Sequence, residues 1–435
     1  MKKLISATFA AALVALAPMA KADLCTIDNV PAATLLLPYF EVSPTQGGVT
    51  TLFSLNNATA NAVLTHVTLW TDWSLPTVDF DVYLTGYDVV TVNLYDVIWV
   101  GNVPITASDG QDPTDTISPQ GPISQDINFA SCSNFFPFFV NPVIRGANLE
   151  RVQKGHTGQA VTALGSNRCL GHPHGDGVAR GYITIDNVSA CSTAFANDPG
   201  YFVDGGLGIA NDLNYIWGDY FIVDPTNNFA FGDNMVHIEA DPLFNAADTQ
   251  TGYTYYGRYT SPLGSDNREP LSTTWATRYL NGGGFDGGTD LIVWRDSTDG
   301  AVASSYSCTS APPWYPLNET QVVAFDEEED PTLLCFSGGG GVISPPEGPN
   351  DPACFPLETG RYHIGDDSLT PPENFGWMYL NLNHTFPGFD VGGGIYAQSF
   401  VTRAHNASGR FQVGLTAVDL ASACDATDVI LPVSP

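Results

Sequence analysis

The sequence predicts an all-β protein made of two tandem β-sandwiches, on the evidence of its composition, its patterning and an internal repeat. The chain has 43 glycines and 31 prolines, and both residue types interrupt helices. Between them lie short runs with alternating polar and apolar residues, such as 66–70, 78–84, 181–185 and 411–415. Alternation with period two is typical of half-buried strands. Because no long amphipathic helix separates these runs, a sandwich or barrel is favoured over an α/β fold.

The internal repeat consists of five segments that recur in one order. Residues 39–44 match 220–225, 50–51 match 273–274, 67–72 match 291–296, 181–186 match 376–381, and 189–191 match 422–424. Each match alone is weak because strands share residue types, so coincidence is the alternative to tandem duplication. The common order favours duplication and predicts that Trp70 and Trp294 occupy equivalent positions.

The matches divide the chain into a first sandwich over residues 23–205 and a second over residues 206–435. Spacing between the matched segments predicts an insertion in the second copy, over residues 226–270. The first copy has its longer stretch later, including residues 101–178. Insertions on a sandwich emerge as loops, where binding residues tend to lie. We therefore expect functional residues in these two stretches.

Three segments of the first sandwich share the strand order of a known class of module. They are residues 51–57, which end in two asparagines, residues 66–72, which contain a tryptophan, and residues 79–84, with the sequence DFDVYL. In this order they resemble immunoglobulin-like modules of bacterial exported and surface proteins. The resemblance implies a sandwich fold and a module that presents a surface or spaces other domains, without implying an activity.

The first 22 residues have the features of a secretory signal peptide. Two lysines precede an apolar run over residues 4–16, and residues 20–22 (Ala-Lys-Ala) fit the rule for cleavage sites. We expect cleavage before Asp23 and export to the periplasm, the cell surface or the medium. No later apolar run reaches the length of about 18 residues that would span a bilayer as a helix.

The chain is strongly acidic, with 46 Asp and Glu against 15 Lys and Arg and a formal net charge of −31. Such a surface repels nucleic acid and anionic lipid head groups, and it favours divalent cations or simply solubility. Asp109, Asp112, Asp115 and the acidic run 326–330 are candidates for structural calcium, which prefers oxygen ligands. Neither segment has the spacing of a known calcium loop, so a solvated acidic surface is the alternative.

All eight cysteines follow the predicted signal peptide, and none has the C-x-x-C spacing of a zinc or redox site. An even number in an exported chain predicts disulfides. We expect bridges within each copy, because each sandwich would close its own loops. The expected pairs are Cys132–Cys169, Cys335–Cys354, Cys25–Cys191 and Cys308–Cys424.

Three segments are candidate ligand sites. In an extended backbone His172, His174 and Asp176 would project to one side, as a metal site requires; a polar surface loop is the alternative. Alternation likewise places His237, Glu239 and Asp241 on one face, which suits an acid/base or cation site, or simply the wet face of a strand. The four tyrosines in residues 253–259 would stack on a sugar if exposed, or pack in the core.

The chain lacks the nucleophile elbow G-x-S-x-G, the zinc motif H-E-x-x-H and a phosphate-binding glycine loop. These absences favour an exported, non-catalytic structural or binding protein of the cell surface or medium, with a glycan or cell-surface partner. One alternative is a secreted hydrolase of glycans or peptides, with its site between the sandwiches or on residues 226–270. Another is a metal-binding protein that uses the cluster around His172.

Overall fold

The computed structural model describes residues 29–104, 132, 143–202, 208–241, 254–260, 266–297, 305–313, 315–335, 353–366, 368–383, 397–407 and 411–420. The predicted signal peptide, Cys25, Cys424 and the three aspartates at 109–115 lie outside these residues. None of the helices within the described ranges is long and apolar enough to cross a membrane.

The first sandwich packs a five-stranded sheet, sheet I, against a four-stranded sheet, sheet II. Sheet I has the order β10-β1-β7-β3-β4, and sheet II has the order β5-β2-β8-β9. The strands are β1 (Thr34–Val42), β2 (Thr50–Asn57), β3 (Val63–Trp70), β4 (Pro76–Leu84), β5 (Val89–Asn93), β6 (Arg168–Cys169), β7 (Ala179–Val188), β8 (Ile216–Asp224), β9 (Phe229–Asn234) and β10 (Val236–Ile238). A π-helix (Asp96–Val100), helix α1 (Ala147–His156) and a 3₁₀ turn (Thr162–Leu164) lie between β5 and β7.

The second sandwich consists of sheet III, with the order β20-β11-β17-β14-β15, and sheet IV, with the order β16-β12-β18-β19. Its strands are β11 (Thr274–Leu280), β12 (Thr289–Arg295), β13 (Tyr306–Ser307), β14 (Gln321–Phe325), β15 (Pro331–Leu333), β16 (Thr359–Ile364), β17 (Phe375–Asn381), β18 (Ser399–Ala407), β19 (Phe411–Thr416) and β20 (Val418–Asp419). The short strands β6 and β13 pair across the two sandwiches.

Apart from β6 and β13, the two sandwiches have the same nine-strand topology. Taken in chain order, each strand of the first sandwich has a counterpart in the second: β1 corresponds to β11, β3 to β14 and β7 to β17, for example. With these correspondences sheet I has the same strand order as sheet III, and sheet II has the same order as sheet IV. The register also repeats: Thr34 lies opposite Asp186, as Thr274 lies opposite Asn381. The all-β class is therefore confirmed, and both halves use one topology; their origin by duplication stays a prediction.

The boundary and the matched segments need correction. Strand β8 pairs with β2 and β10 pairs with β1, so residues 216–238 belong to the first sandwich. The boundary near residue 205 is therefore wrong, and the supposed insertion 226–270 contains two strands of the first sandwich. Of the matches that can be compared, only 181–186 with 376–381 joins equivalent strands, β7 and β17. Trp70 and Trp294 lie on the non-equivalent strands β3 and β12. Their segments matched in sequence only because a period-two pattern is common to all strands.

Aromatic side chains fill the junction between the two sandwiches. Trp70 stacks on Tyr182 with ring centroids 6.0 Å apart, and Tyr259 stacks on the same tryptophan at 5.6 Å. From the second sandwich Trp294 packs edge-on against Tyr182 at 5.9 Å and stacks on Tyr255 at 5.7 Å. Burial of such rings is the main contribution to core and interface energetics, so the sandwiches are held in a fixed arrangement.

The disulfides in the described residues are Cys132–Cys191, Cys169–Cys308 and Cys335–Cys354. Only Cys335–Cys354 agrees with the expected pairs. The partners found for Cys132, Cys169, Cys191 and Cys308 rule out the other three expected pairs. Cys169–Cys308 also contradicts the expectation that every bridge stays within one copy. The β6–β13 pairing is the reason, because it places Cys169 opposite Tyr306, two residues before Cys308.

Candidate functional site

A pocket of about 710 Å³ opens between the two sandwiches. This volume lies in the range of roughly 300–1,000 Å³ that is usual for small-molecule sites. Four strands and four loop segments line this interface pocket, and the residues come from both sandwiches. The strand residues include Tyr39 and Glu41 on β1, Arg180 on β7, Asp290 on β12, and Arg361, Tyr362 and His363 on β16. The loop residues are His172, His174, Tyr315, Pro316, Leu357 and Asp366.

Arg361 is the centre of the charged wall of the pocket. Its guanidinium nitrogens Nη2 and Nε lie 2.5 Å and 2.9 Å from Asp290 Oδ2. Its Nη1 lies 3.6 Å from Glu41 Oε2. Since Glu41 belongs to the first sandwich and Asp290 to the second, Arg361 bridges carboxylates of both.

A second arginine completes this wall from the first sandwich. Arg180 donates two hydrogen bonds to Asp176, at 2.9 Å and 2.6 Å, and its Nε lies 4.0 Å from Glu41 Oε1. The Tyr39 hydroxyl donates to that same Glu41 oxygen at 2.6 Å. Every charged group in this part of the wall thus has a partner, and the ion pairs fix the side chains in place.

The two histidines of the loop before β7 are held by one carboxylate. Asp72 accepts a hydrogen bond from the His172 backbone N–H at 2.8 Å through Oδ1. Its Oδ2 lies 2.8 Å from His174 Nε2. The two imidazole rings are 4.9 Å apart, and burial lowers the pKa of His172. The His172 ring is therefore a neutral hydrogen-bonding group at neutral pH.

Another part of the lining is apolar and aromatic. Tyr315, Pro316 and Leu357 line it, and the Tyr315 hydroxyl donates to the Asp72 backbone carbonyl at 2.6 Å. The Tyr315 ring lies 5.9 Å from that of the buried Trp73. Leu357, Tyr315 and the disulfide Cys169–Cys308 belong to one cluster around this tryptophan. The apolar wall is thus anchored to the junction of the two sandwiches.

The ionisation of the pocket groups bears on catalysis. Burial alone would raise the pKa of Asp290, but hydrogen bonds and charge from His363 and Arg361 outweigh it and hold that pKa below its ordinary value. His363 Nδ1 lies 2.7 Å from Asp290 Oδ1. This hydrogen bond raises the pKa of His363. The described lining contains no serine, threonine or cysteine. The pocket therefore offers fixed hydrogen-bonding groups and no hydroxyl or thiol nucleophile of the serine or cysteine type.

The predicted metal triad is not assembled. Both carboxylate oxygens of Asp176 accept hydrogen bonds from Arg180, while His174 is bound to Asp72. Within the described ranges the only close groups of three ligand-type residues are Asp81, Cys132, Cys191 and Glu319, Cys335, Cys354. Both contain disulfide cysteines, which have no thiolate to offer a metal. His172 and His174 do line the interface pocket.

The other predicted sites lie outside the pocket. His237 is buried on β10, Glu239 is half-buried and Asp241 is exposed, so they share no wet face. Tyr255, Tyr256 and Tyr259 pack in the aromatic junction, as the core alternative expected, while Tyr253 lies beyond the described residues. Residues 326–330 form the β14–β15 turn and are exposed from Glu327 onward. Asp326 Oδ1 accepts backbone hydrogen bonds from Glu328 and Asp330 there.

Sequence reasoning missed a buried ionic network beside the pocket. Arg258 Nη1 lies 2.7 Å from Glu358 Oε2 and 3.5 Å from Asp296 Oδ1. Ser74 hydrogen-bonds to Glu358 and also contacts the Tyr182 hydroxyl at 2.7 Å. Burial raises the pKa of Glu358 to about 7. The five members of this network come from five distant parts of the chain, and no local spacing could have indicated them.

The comparisons with known proteins add no relative: no family model, curated protein or solved structure matches this chain.

Proposed function

We propose that this is an exported, non-catalytic binding protein that holds a neutral carbohydrate in the interface pocket. The observation that carries the proposal is the contrast between two sets of groups in the pocket lining. One wall is aromatic and apolar, around Tyr315 and Leu357. The other is formed by paired planar groups, around Arg361, Asp290 and His363.

This contrast suits a sugar ring, which has apolar C–H faces and a polar edge of hydroxyls. An aromatic ring such as Tyr315 covers apolar surface while its hydroxyl keeps a polar partner. Guanidinium, carboxylate and imidazole groups supply directional donors and acceptors for the hydroxyls. Because each pocket arginine is already paired with a carboxylate, the arginines do not favour an anionic ligand.

The whole-chain charge supports a neutral ligand over an anionic one. A net charge of −31 produces a negative potential that repels anions at long range. The two pocket arginines do not reverse it, since Arg180 is paired with Asp176 and Arg361 with Asp290. The three disulfides are compatible with an oxidising compartment outside the cytoplasm.

The hydrolase alternative has weaker support in the pocket. The Asp290–His363 pair has the orientation of a general-base dyad, in which the carboxylate holds one ring nitrogen. Asp290 itself has a lowered pKa, which opposes a role as general acid. The described lining also supplies no serine or cysteine for the dyad to activate. Binding without turnover is therefore the better account.

The test is a glycan array probed with the mature protein, followed by calorimetry on the best ligand. We expect Arg361→Gln and His172→Ala each to weaken binding at least tenfold, about 1.4 kcal/mol. Arg278→Gln is the matched control, because Arg278 is exposed on β11, outside the pocket. Failure to bind any neutral glycan, or equal affinity of Arg361→Gln and wild type, would refute the proposal. Release of shortened glycan during the assay would favour the hydrolase.

A further inference from the structure

We propose that copies of this chain associate head to tail, the outer face of sheet III in one copy packing on the outer face of sheet II in the next. Such a contact would repeat, between chains, the contact that already joins the two sandwiches within one chain. It is independent of the pocket and of its ligand.

The first supporting observation is a stacked aromatic pair that occurs twice. Trp70 and Tyr182 lie opposite each other on β3 and β7, with nearly parallel rings at an interplanar angle of 7°. At the equivalent register of β14 and β17, Phe325 and Trp377 stack with centroids 4.6 Å apart and an angle of 10°. The first pair is buried under the second sandwich, whereas Trp377 is 39 % exposed. One fold position is thus covered in one sandwich and open in the other.

The second observation identifies what covers the first pair. Tyr259, from the segment between β10 and β11, stacks on Trp70, and Trp294 of sheet IV packs against Tyr182. The Thr359 hydroxyl, also of sheet IV, donates to the Pro38 carbonyl of sheet I at 2.5 Å. The contact over this pair therefore joins sheet I to sheet IV, and sheet IV also touches the edge strand β9 of sheet II through hydrogen bonds from Thr402 and Thr416 to Asp233. By the shared topology sheet III is the counterpart of sheet I, and sheet II is the counterpart of sheet IV. The open face of sheet III accordingly has its matching partner in sheet II of another chain.

The third observation is that sheet II presents an apolar outer face. Leu52 lies directly opposite Phe221, and Trp217 lies opposite Asn56, which in turn pairs with Val89. These four apolar side chains are 37–56 % exposed. They form two small clusters on this face, Leu52 with Phe221 and Trp217 with Val89, separated by Ser54 and its hydrogen-bond partner Asp219. Exposed apolar side chains grouped on one sheet face in this way suit a contact surface.

Two different faces meet in this contact, so the association is heterologous. Each added copy leaves one free face at either end, and the chain of copies continues unless its rotation closes a ring. The charge of −31 per copy opposes the approach of copies at low salt. Added salt shortens the screening length from about 30 Å at 0.01 M to about 3 Å at 1 M. Assembly should therefore increase with ionic strength.

The test is analytical ultracentrifugation of the mature protein over a range of sodium chloride concentrations. We expect the wild type to form a ladder of oligomers that lengthens with salt, and Trp377→Asp and Phe221→Asp each to stay monomeric. An equimolar mixture of the two variants keeps one intact pair of faces and should give dimers that grow no further. Leu213→Asp is the control, because Leu213 is an equally exposed loop residue at 44 %, outside both faces.

Circular dichroism would check that each variant is folded, and Trp217→Asp would replace Phe221→Asp if that variant is not. The proposal is wrong if the wild type stays monomeric at every salt concentration. It is also wrong if the variant mixture gives no dimer, since a symmetric contact or none would then be present.

Discussion

Cys169 and Cys308 form a disulfide that joins the first sandwich to the second, across a sequence separation of 139 residues. Cys335–Cys354 spans only 19 residues and stays within the second sandwich. In the chain-entropy treatment the longer loop contributes about 5 kcal/mol and the shorter about 3 kcal/mol. We therefore expect Cys169→Ser/Cys308→Ser to lower the free energy of unfolding more than Cys335→Ser/Cys354→Ser. Urea denaturation of both double variants measures the difference, and the reverse order would contradict it.

A second prediction concerns Asp79, which is 1 % exposed on β4. Burial raises its pKa from 3.8 to about 6. Between these values the folded protein binds more protons than the unfolded chain, so the free energy of unfolding falls as pH rises. A shift of this size corresponds to at most about 3 kcal/mol. Asp79→Asn should therefore lose less stability than wild type between about pH 4 and pH 7.

Urea titrations at pH 4 and pH 7 measure how much the free energy of unfolding changes with pH in each protein. The control is Asp286→Asn, because Asp286 is exposed and should leave the slope unchanged. If Asp79→Asn and wild type have the same pH dependence, then Asp79 does not ionise in the expected range.

The third prediction concerns the buried pair Arg258–Glu358. Arg258→Met would leave Glu358 buried without its cation, which typically costs about 3–5 kcal/mol. Arg258→Met/Glu358→Gln should recover most of that loss, because a neutral amide is cheaper to bury than a carboxylate. A double-mutant cycle by chemical denaturation measures the coupling. A double variant no more stable than Arg258→Met would show that the pair is not the source of the loss.

A fourth prediction uses equivalent glycines in the two sandwiches. A β-carbon on Gly181 would collide with the Trp70 backbone carbonyl, and one on Gly376 would collide with the Phe325 carbonyl. Both substitutions to alanine should therefore destabilise the protein, by about 1–3 kcal/mol as overpacking does. Gly284→Ala has open space around the new methyl group and should change stability by less than about 0.5 kcal/mol. Thermal unfolding ranks the three, and a neutral effect at Gly376 alone would argue against equivalence of the two sandwiches.

The last prediction is spectroscopic. Since the hydrogen bond to Asp290 raises the pKa of His363, Asp290→Asn should lower that pKa. A pH titration followed by NMR of the His363 ring protons measures it. His405 is the internal reference, because burial lowers its pKa to about 4 without a contribution from Asp290. An unchanged pKa for His363 would mean that the dyad does not form in solution.

Local patterning predicted the strands well. Residues 66–70, 78–84 and 181–185 lie in β3, β4 and β7, and residues 411–415 lie in β19. The match of 181–186 with 376–381 also joined truly equivalent strands. Both segments have a glycine, Gly181 or Gly376, at the position where a backbone carbonyl of the neighbouring strand approaches closely. A tertiary contact therefore restricts the residue type at this position, and the sequence match reflects that restriction. The other matches that fall within the described residues joined non-equivalent strands, because strands share residue types.

The sequence by itself determined that the chain is all-β and acidic, with cysteines suited to disulfides, because composition and a period of two are local properties. Only the tertiary structure decided which strands are neighbours, and hence the boundary, most disulfide partners and the pocket. Alternation specifies which face of a strand is apolar but not which strand lies beside it. Glu41 and Arg361 meet at 3.6 Å only because β1 and β16 come together where two sandwiches pack. No spacing along the chain could encode that contact.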